Sequence, residues 1–294
     1  MVIANHVSVS RRTFLDQATD RLRKAGIEEA RKEARLLIED VADISIAHQL
    51  AFPDILLSDK QLAALDEALA MREARIPLSQ IVGKASFYGQ TFATTKDTLT
   101  PRPESELLVD AVIEYTRGLE SVSLLDAFTG TGAVGISAAR CLHEAGIEVI
   151  LTMTDNSWHA LEIAGKNACR LIPAVNWHLE HVDIWPSTYR LYDVITSNPP
   201  YVATDEIMTL MPEVSRSEPF SALDGGQDGL DFYRRLSRET GRYLSDNGVL
   251  LIEIGASQEE EVVRLFLDRG AWREVDRKKD LAGHTRVLAF CKVA

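Results

Sequence analysis

Cysteine is scarce in this chain of 294 residues: Cys141, Cys169 and Cys291 are odd in number, far apart and without Cys-x-x-Cys spacing. That argues against a disulfide framework and against a thiolate zinc site, so no metal is expected and a reducing compartment is. No apolar run approaches the roughly 18 residues that cross a bilayer, and the opening MVIANHVSVSRRTF lacks the apolar core of about 7 to 15 residues of an export signal. The expectation is a cytoplasmic monomer with no membrane partner. Basic residues are also in deficit, 32 Lys and Arg against 44 Asp and Glu for a net charge of -12. Without a local basic patch, direct binding to a nucleic-acid backbone is not expected. The remaining composition, 46% hydrophobic and 26% charged, suffices to fill a core in one large or two unequal domains.

Helical periodicity runs from Ser10 to about Arg75, with Phe14, Ala18 and Leu22 on one face and Ala30, Ala34, Leu37 and Val41 on the next. Ser58 and Gln61 form a capping-box pattern opening a helix whose apolar side carries Leu62, Leu65 and Leu69, and Pro77 stops it. A bundle of four or five helices over residues 1–84 follows. It holds 12 basic and 13 acidic residues, so almost all the excess acidity lies downstream. SFYGQTFATT predicts a short hairpin around Gly89-Gln90, which with the extended LTPRPESE makes a connection over 85–103. From 104 to 294, runs such as VSLLDAF, EVILTMTD, YDVITSN and GVLLIEIG alternate with helical stretches near 133–145, 157–170, 228–243 and 257–268. Such alternation predicts an α/β fold with a doubly wound, mostly parallel sheet, here of seven strands. The last two runs, 271–277 and 285–291, lack helix spacing between them and predict an antiparallel edge.

After the first strand of that sheet comes Asp126-Ala-Phe-Thr-Gly-Thr-Gly132. Gly130 and Gly132 let a ligand approach backbone N–H groups that a side chain would block. Asp155 ends the second strand, where a carboxylate can accept both hydroxyls of a ribose, and Asp183 in HVDIW ends the third. Singly each acid reads as a solvated loop residue or a helix cap; together they mark one edge of the sheet. A dinucleotide turn would read Gly-x-Gly-x-x-Gly. The order here, Phe128-x-Gly-x-Gly with an acid two residues before the Phe, resembles the S-adenosylmethionine turn of class I methyltransferases. Asp126 then answers the cationic end of the ligand through the turn or a water.

ITSNPPYV follows a later strand. Asn198 and Pro199 both precede proline and are biased away from the α region. The Asn198 side-chain oxygen and the Pro199 carbonyl are thereby preset acceptors, matching the two hydrogens of a planar NH2 group. Tyr201 adds a π face for the positive charge beside it. The plain alternative is an Asx or proline turn closing a surface loop, and the loop by itself does not choose between an adenine and a glutamine nitrogen.

ARLLIEDV, SFYGQTFATT, TLTPRPESELLVD, the glycine turn, NPPYV and EVSRSEPFSALDGGQDGLDFYRRL together resemble the HemK-like protein-(glutamine-N5) methyltransferases, in particular those acting on peptide chain release factors. The resemblance covers nearly the whole chain, and TPRPESE and EPxxALxGGxDGL are more specific than NPPY. It implies a class I methyltransferase fold, with residues 1–84 recognising the substrate and 104–294 binding S-adenosylmethionine. It also implies methyl transfer to the glutamine side chain of the Gly-Gly-Gln tripeptide in a release factor. Asp126, Phe128, Thr129, Gly130, Thr131, Gly132, Asp155, Asp183, Ile184 and Asn198 would line the cofactor. Asn198, Pro199, Pro200 and Tyr201 would hold the glutamine, with Asn198, Pro199 and Tyr201 as the catalytic set. Arg102 and Glu106 would stand at the cofactor mouth or serve the loop. Phe128 departs from the family's turn, which has glycine there: if φ > 0 is needed the residue is strained, and otherwise the backbone is β-like or the cofactor is displaced. The stretch Asp224-Gly-Gly-Gln-Asp228 repeats the target tripeptide but reads as a turn before a helix rather than a site of self-methylation. The competing readings are a glutamine methyltransferase acting on a ribosomal protein and, from Phe128, a cofactor-binding protein without turnover. DNA adenine methylation is disfavoured by the acidic balance.

Overall fold

The computed structural model describes residues 9–293; MVIANHVS, part of the stretch read for an export signal, lies outside them. The chain divides into two compact units, one formed by Met1–Gly83 with Met211–Ser217, the other by Lys84–Leu210 with Glu218–Ala294.

The first unit holds helices α1 (Arg11–Lys24), α2 (Ala30–Ala42), α3 (Ile46–Ala51), α4 (Asp59–Glu73) and α5 (Leu78–Val82). The predicted stripes meet in its core: Phe14, Ala18, Leu22, Ala34, Leu37, Leu65 and Leu69 are buried together, with Val41 and Leu62 packed against them. Ser58 and Gln61 form the reciprocal capping box, and Pro77 takes the N-cap of α5 rather than ending α4. In the returning segment the Glu213 carboxylate accepts from Arg75 Nε (2.6 Å) and Nη2 (2.7 Å) and from Arg72 Nη1 (2.9 Å). Burial works to raise the pKa of Glu213, but the hydrogen bonds from Arg75 and Arg72 hold it at about 2.

The second unit opens with a hairpin, β1 (Lys84–Phe87) and β2 (Gln90–Ala93). Tyr88 and Gly89 at its tip both have positive φ, 48° and 68°, as a two-residue turn matched to strand twist requires. Then follow α6 (Glu106–Tyr115), β3 (Ser121–Ala127), α7 (Ala133–Glu144), β4 (Glu148–Asp155), α8 (Trp158–Leu171), β5 (Asn176–His181) and β6 (Tyr192–Ser197). After the excursion that carries α9 (Pro212–Ser215) come α10 (Asp231–Glu239), β7 (Leu244–Glu253), α11 (Glu259–Leu267), β8 (Trp272–Lys279) and β9 (Thr285–Lys292).

The seven-stranded sheet has the order β5-β4-β3-β6-β7-β9-β8. Its first five strands are parallel, and β9 is antiparallel to both neighbours. Helices cover both faces, and so the inner strands are solid apolar runs: Leu124 and Leu125, and Val249 to Ile252, are buried on alternate sides in two separate cores. Strand order reverses between β3 and β6, and the crevice beyond their carboxyl ends is where open α/β sheets bind ligands. The turn after β3, Asp155 at the end of β4 and Asn198 after β6 all fall there. No helix among the described residues is long and apolar enough to cross a membrane.

Candidate functional site

Asp126, the penultimate residue of β3, is buried and fully engaged. Its Oδ2 accepts from Thr129 Oγ1 (2.6 Å) and Gly135 N (3.1 Å), and its Oδ1 from Thr196 Oγ1 (2.8 Å). Burial raises its pKa against these bonds. This acid latches the turn to β6 and α7 and also lines the second of the two clefts described below. Asp155 ties the next strand to the same turn, accepting from Gly130 N (2.9 Å) and Ser157 N (2.8 Å); burial raises its pKa as well. The two glycines serve different ends. A Cβ on Gly130 would meet nothing within 4 Å, so its backbone opens outward, whereas one on Gly132 would fall 2.5 Å from Ile136 Cδ1, within α7's own packing.

Phe128 has φ 61°. The β-like alternative is thereby overturned: the residue holds the left-handed conformation of the glycine it replaces, at a cost of roughly 1–2 kcal/mol. Its ring packs edge-on against Phe232, with centroids 5.0 Å apart and an interplanar angle of 77°.

Two clefts meet over this turn. The first, about 540 Å³ and open to solvent, is lined by Asp97, Asp155, Ala160, Pro200 and Phe232 among others. The second, about 460 Å³, is lined by Thr100, Arg102, Ser105, Thr129 and Thr131. Leu99, Phe128, Gly130 and Asn198 belong to both. The first cleft has two carboxylates and no Lys or Arg in its lining, so a pyrophosphate would meet repulsion there while a ribose diol and a sulfonium would not. The residues present fit S-adenosylmethionine better than a dinucleotide. Arg102 at the second cleft donates to the buried Glu218 (2.7 Å), whose pKa burial raises.

Six expected residues line neither cleft: Gly132, Pro199, Tyr201, Asp183, Ile184 and Glu106. β5 ends at His181, and Asp183 stands two residues beyond it, ion-paired to Arg235 at 2.7 Å. Ile184 is buried, its carbonyl accepting from Thr154 Oγ1 (2.8 Å). Neither lines the two clefts, although β5 runs level with β4 and pairs its last residue, His181, with Asp155. Glu106 accepts from Tyr88 N (2.7 Å) and so pins the hairpin to α6.

At the NPPY loop, Asn198 Nδ2 donates to Ser105 Oγ (3.2 Å), and Ser105 Oγ donates to Glu253 Oε2 (2.5 Å). The Asn198 Oδ1 and the Pro199 carbonyl accept no hydrogen bond from any described residue. Tyr201 lies off the cleft walls, packed against the core that holds Tyr233 and Ile254. Burial, with Glu253 nearby, pushes its phenol up to about 12 and keeps it neutral. The loop is braced from behind by the DGGQDG segment. A Cβ on Gly225 would stand 2.8 Å from Tyr201 Cα, and one on Gly229 would stand 2.4 Å from Tyr201 O. Gln258 Nε2 donates to Tyr201 O (2.9 Å) and Gly229 O (3.2 Å). Gly225 is buried in this brace while Gln227 is exposed, which makes the tripeptide a packing device.

Ser105, Glu218, Phe232 and Glu253 were not singled out by residue type. Ser105 and Glu218 sit inside the PRPESE and EPFSALDGG stretches, which carried the signal. Glu253 could have been found as the one charge at the end of the apolar run LLIE.

Residues 13–83 match the family profile described as PrmC N-terminal domain, and residues 103–215 that described as Methyltransferase small domain. The chain is 36% identical over 278 residues to the release factor glutamine methyltransferase of Agrobacterium fabrum, covering 93% of this chain and 94% of that protein. It is 39% identical over 277 residues to the protein of the same name from Cereibacter sphaeroides, covering 94% and 96%. Among solved structures, a methyltransferase from Pyrococcus furiosus superposes with a TM-score of 0.50 at 20% identity, over 75% of this chain and 98% of that one; this likeness is one of fold.

Proposed function

The chain belongs to the release factor glutamine methyltransferase family, and on that premise we propose that it methylates the glutamine side chain of the Gly-Gly-Gln motif in a peptide chain release factor. It has the class I methyltransferase fold and uses S-adenosylmethionine. When bound, the cofactor supplies a methyl already activated by its sulfonium, so the protein's task is to place and polarise the nitrogen.

The observation that carries this reading is the orientation of Asn198. Its NH2 is tethered to Ser105 Oγ, so Oδ1 is turned the other way and left as an acceptor, next in the chain to the Pro199 carbonyl. Both acceptors hold the two hydrogens of the incoming amide. Held so, the nitrogen is favoured in the pyramidal, nucleophilic form, a stabilisation by preset dipoles that costs no reorganisation during transfer. The cationic amide nitrogen formed by transfer is strongly acidic and gives its proton to solvent water at the open cleft. Pro200 walls the cofactor side, and Tyr201 borders the acceptor pair as a neutral ring. Phe128, Gly130 and Asp155 take the nucleoside, and Thr129, Thr131 and Arg102 take the amino-acid end. Asp183 and Ile184, just beyond Val182, whose N–H donates to the Asp155 carbonyl, have an outer role at the nucleoside. The first unit grips the body of the release factor, in the cytoplasm where translation ends.

The test is transfer of labelled methyl from S-adenosylmethionine to a purified release factor, with mass mapping of the product. One methyl on the Gly-Gly-Gln glutamine is expected, and Asn198→Ala should slow transfer by about 100-fold. Labelling of a ribosomal protein in place of the release factor would move the chain to the sister activity. Cofactor binding by calorimetry without transfer to either substrate would make it a binding protein.

A further inference from the structure

We infer that Glu253 is a positioning residue for methyl transfer, setting through Ser105 which way round the Asn198 amide sits. The inference rests on the function proposed above. Asn198 can serve the target nitrogen only with Oδ1 outward, yet an amide side chain is nearly symmetric in shape, and something must choose between its two ends. The choice is made two residues away. Glu253 closes β7 and is buried; ionised, it can only accept. Ser105, at the end of the 3-10 turn before α6, must therefore donate its single hydroxyl hydrogen to Glu253 (2.5 Å). That leaves only lone pairs on Ser105 Oγ toward Asn198, and the group that can use them is Nδ2, found at 3.2 Å.

The polarity of the relay depends on one proton. Burial pushes Glu253 up to about 7, against the lowering effects of the Ser105 hydrogen bond and the charge of Arg286. Glu104 also raises it, and hydrogen bonding from the Asn198 side chain, which reaches Glu253 directly as well as through Ser105, lowers it, while Tyr201 and Tyr233, the other titratable groups facing it, stay neutral in this range. As pH falls through 7, protonated Glu253 becomes a donor to Ser105. The Ser105 hydrogen is then free to point at Asn198, where it binds Oδ1 and turns Nδ2 toward the substrate. A purely structural Glu253, bracing the start of α6, would have no such effect on rate.

Two measurements on the full chain test this. In the first, the side-chain NH2 signals of Asn198, assigned by their loss in Asn198→Asp, are followed by NMR against pH without substrate. They should titrate with a midpoint near 7, and the titration should vanish in Glu253→Gln. In the second, kcat for the release factor is followed against pH. The natural chain should lose rate on the acid side of the same midpoint. Glu253→Gln and Ser105→Ala should each lower kcat by about 10- to 100-fold, as a small misplacement of a reacting group does, with that acid limb flattened and cofactor affinity unchanged. Ser105→Thr, which keeps the hydroxyl, should restore the rate, and the double variant should be no worse than Ser105→Ala alone. An Asn198 amide that does not titrate overturns the inference. So does a Ser105→Ala variant with natural kcat and pH profile. If the natural chain fails to methylate a release factor, the proposed function falls while the NMR titration still decides the relay.

Discussion

Phe128 holds a glycine's conformation with a side chain that most residues cannot carry there. Its φ of 61° costs roughly 1–2 kcal/mol, and the edge-on contact with Phe232 returns about 0.5–1.5 kcal/mol. The two nearly offset, which yields an ordering of variants. Phe128→Gly removes strain and contact together and should leave the thermal midpoint close to that of the natural chain. Phe128→Ala keeps the strain, loses the ring and should be the least stable of the three; an alanine variant that melts above the glycine one would refute this account. Both should weaken cofactor binding, since the ring walls both clefts. Residue type alone marked Phe128 as anomalous. The backbone angle that resolves the anomaly depends on Asp126 and Asp155 gripping the turn from two strands, which no local pattern displays.

The elements were legible where burial writes a strong period. Stripes in α1, α2 and α4 and the solid runs of β3, β4, β6 and β7 appear in the sequence because each is covered on a face or on both. The hairpin and the capping box appear because their turn chemistry is local. Less legible were contacts between distant elements: Glu253 and Ser105 are 148 positions apart, and only the closing of β7 against the start of α6 unites them. β5 was drawn too long, since an edge strand of mixed burial has no sharp apolar end. The loop carrying Gly225 and Gly229 is a similar case, its tripeptide more conspicuous than its task. Gly225→Ala places a Cβ 2.8 Å from the Tyr201 backbone, and relieving that overlap should cost about 1–3 kcal/mol. Because the yielding part is the NPPY loop, kcat should fall more than cofactor affinity. Gly146→Ala, at a surface turn with φ 82° and open space around it, should cost about 1 kcal/mol through its positive φ and leave kcat untouched. Equal kcat losses in the two variants would deny the brace its role.

At the scale of the molecule, three buried carboxylates, Asp126, Glu218 and Glu253, and the half-buried Asp155 converge on one end of the sheet, and desolvation raises the pKa of each. An acid whose folded pKa exceeds its unfolded one binds more protons when folded, so its contribution to stability declines as pH rises between the two values. For Glu253 the window runs from 4.5 to about 7, on the order of 3 kcal/mol at 1.36 kcal/mol per unit. Glu253→Gln should therefore raise the thermal midpoint at pH 8 and leave it unchanged near pH 4.5. An equal shift at both would show that charge burial is not the cause. Glu213 has the opposite sign. Its folded pKa of about 2 lies below 4.5, so its stabilisation is complete above 4.5 and is lost as pH falls toward 2. Glu213→Gln should destabilise the first unit at neutral pH and do nothing at pH 2.

The same glutamate belongs to a segment, Met211–Ser217, that leaves the second unit after NPPY and completes the first. The first unit is thus assembled from two stretches of chain, with Arg72 and Arg75 on one and Glu213 on the other. A protease nick near residue 83 would sever the backbone without freeing a fragment, and the two pieces should co-elute from a sizing column until a denaturant parts them. For anyone dividing the gene, an expression start at residue 84 would yield a catalytic unit carrying seven orphaned residues in its middle, so the two halves of this enzyme are inherited as one.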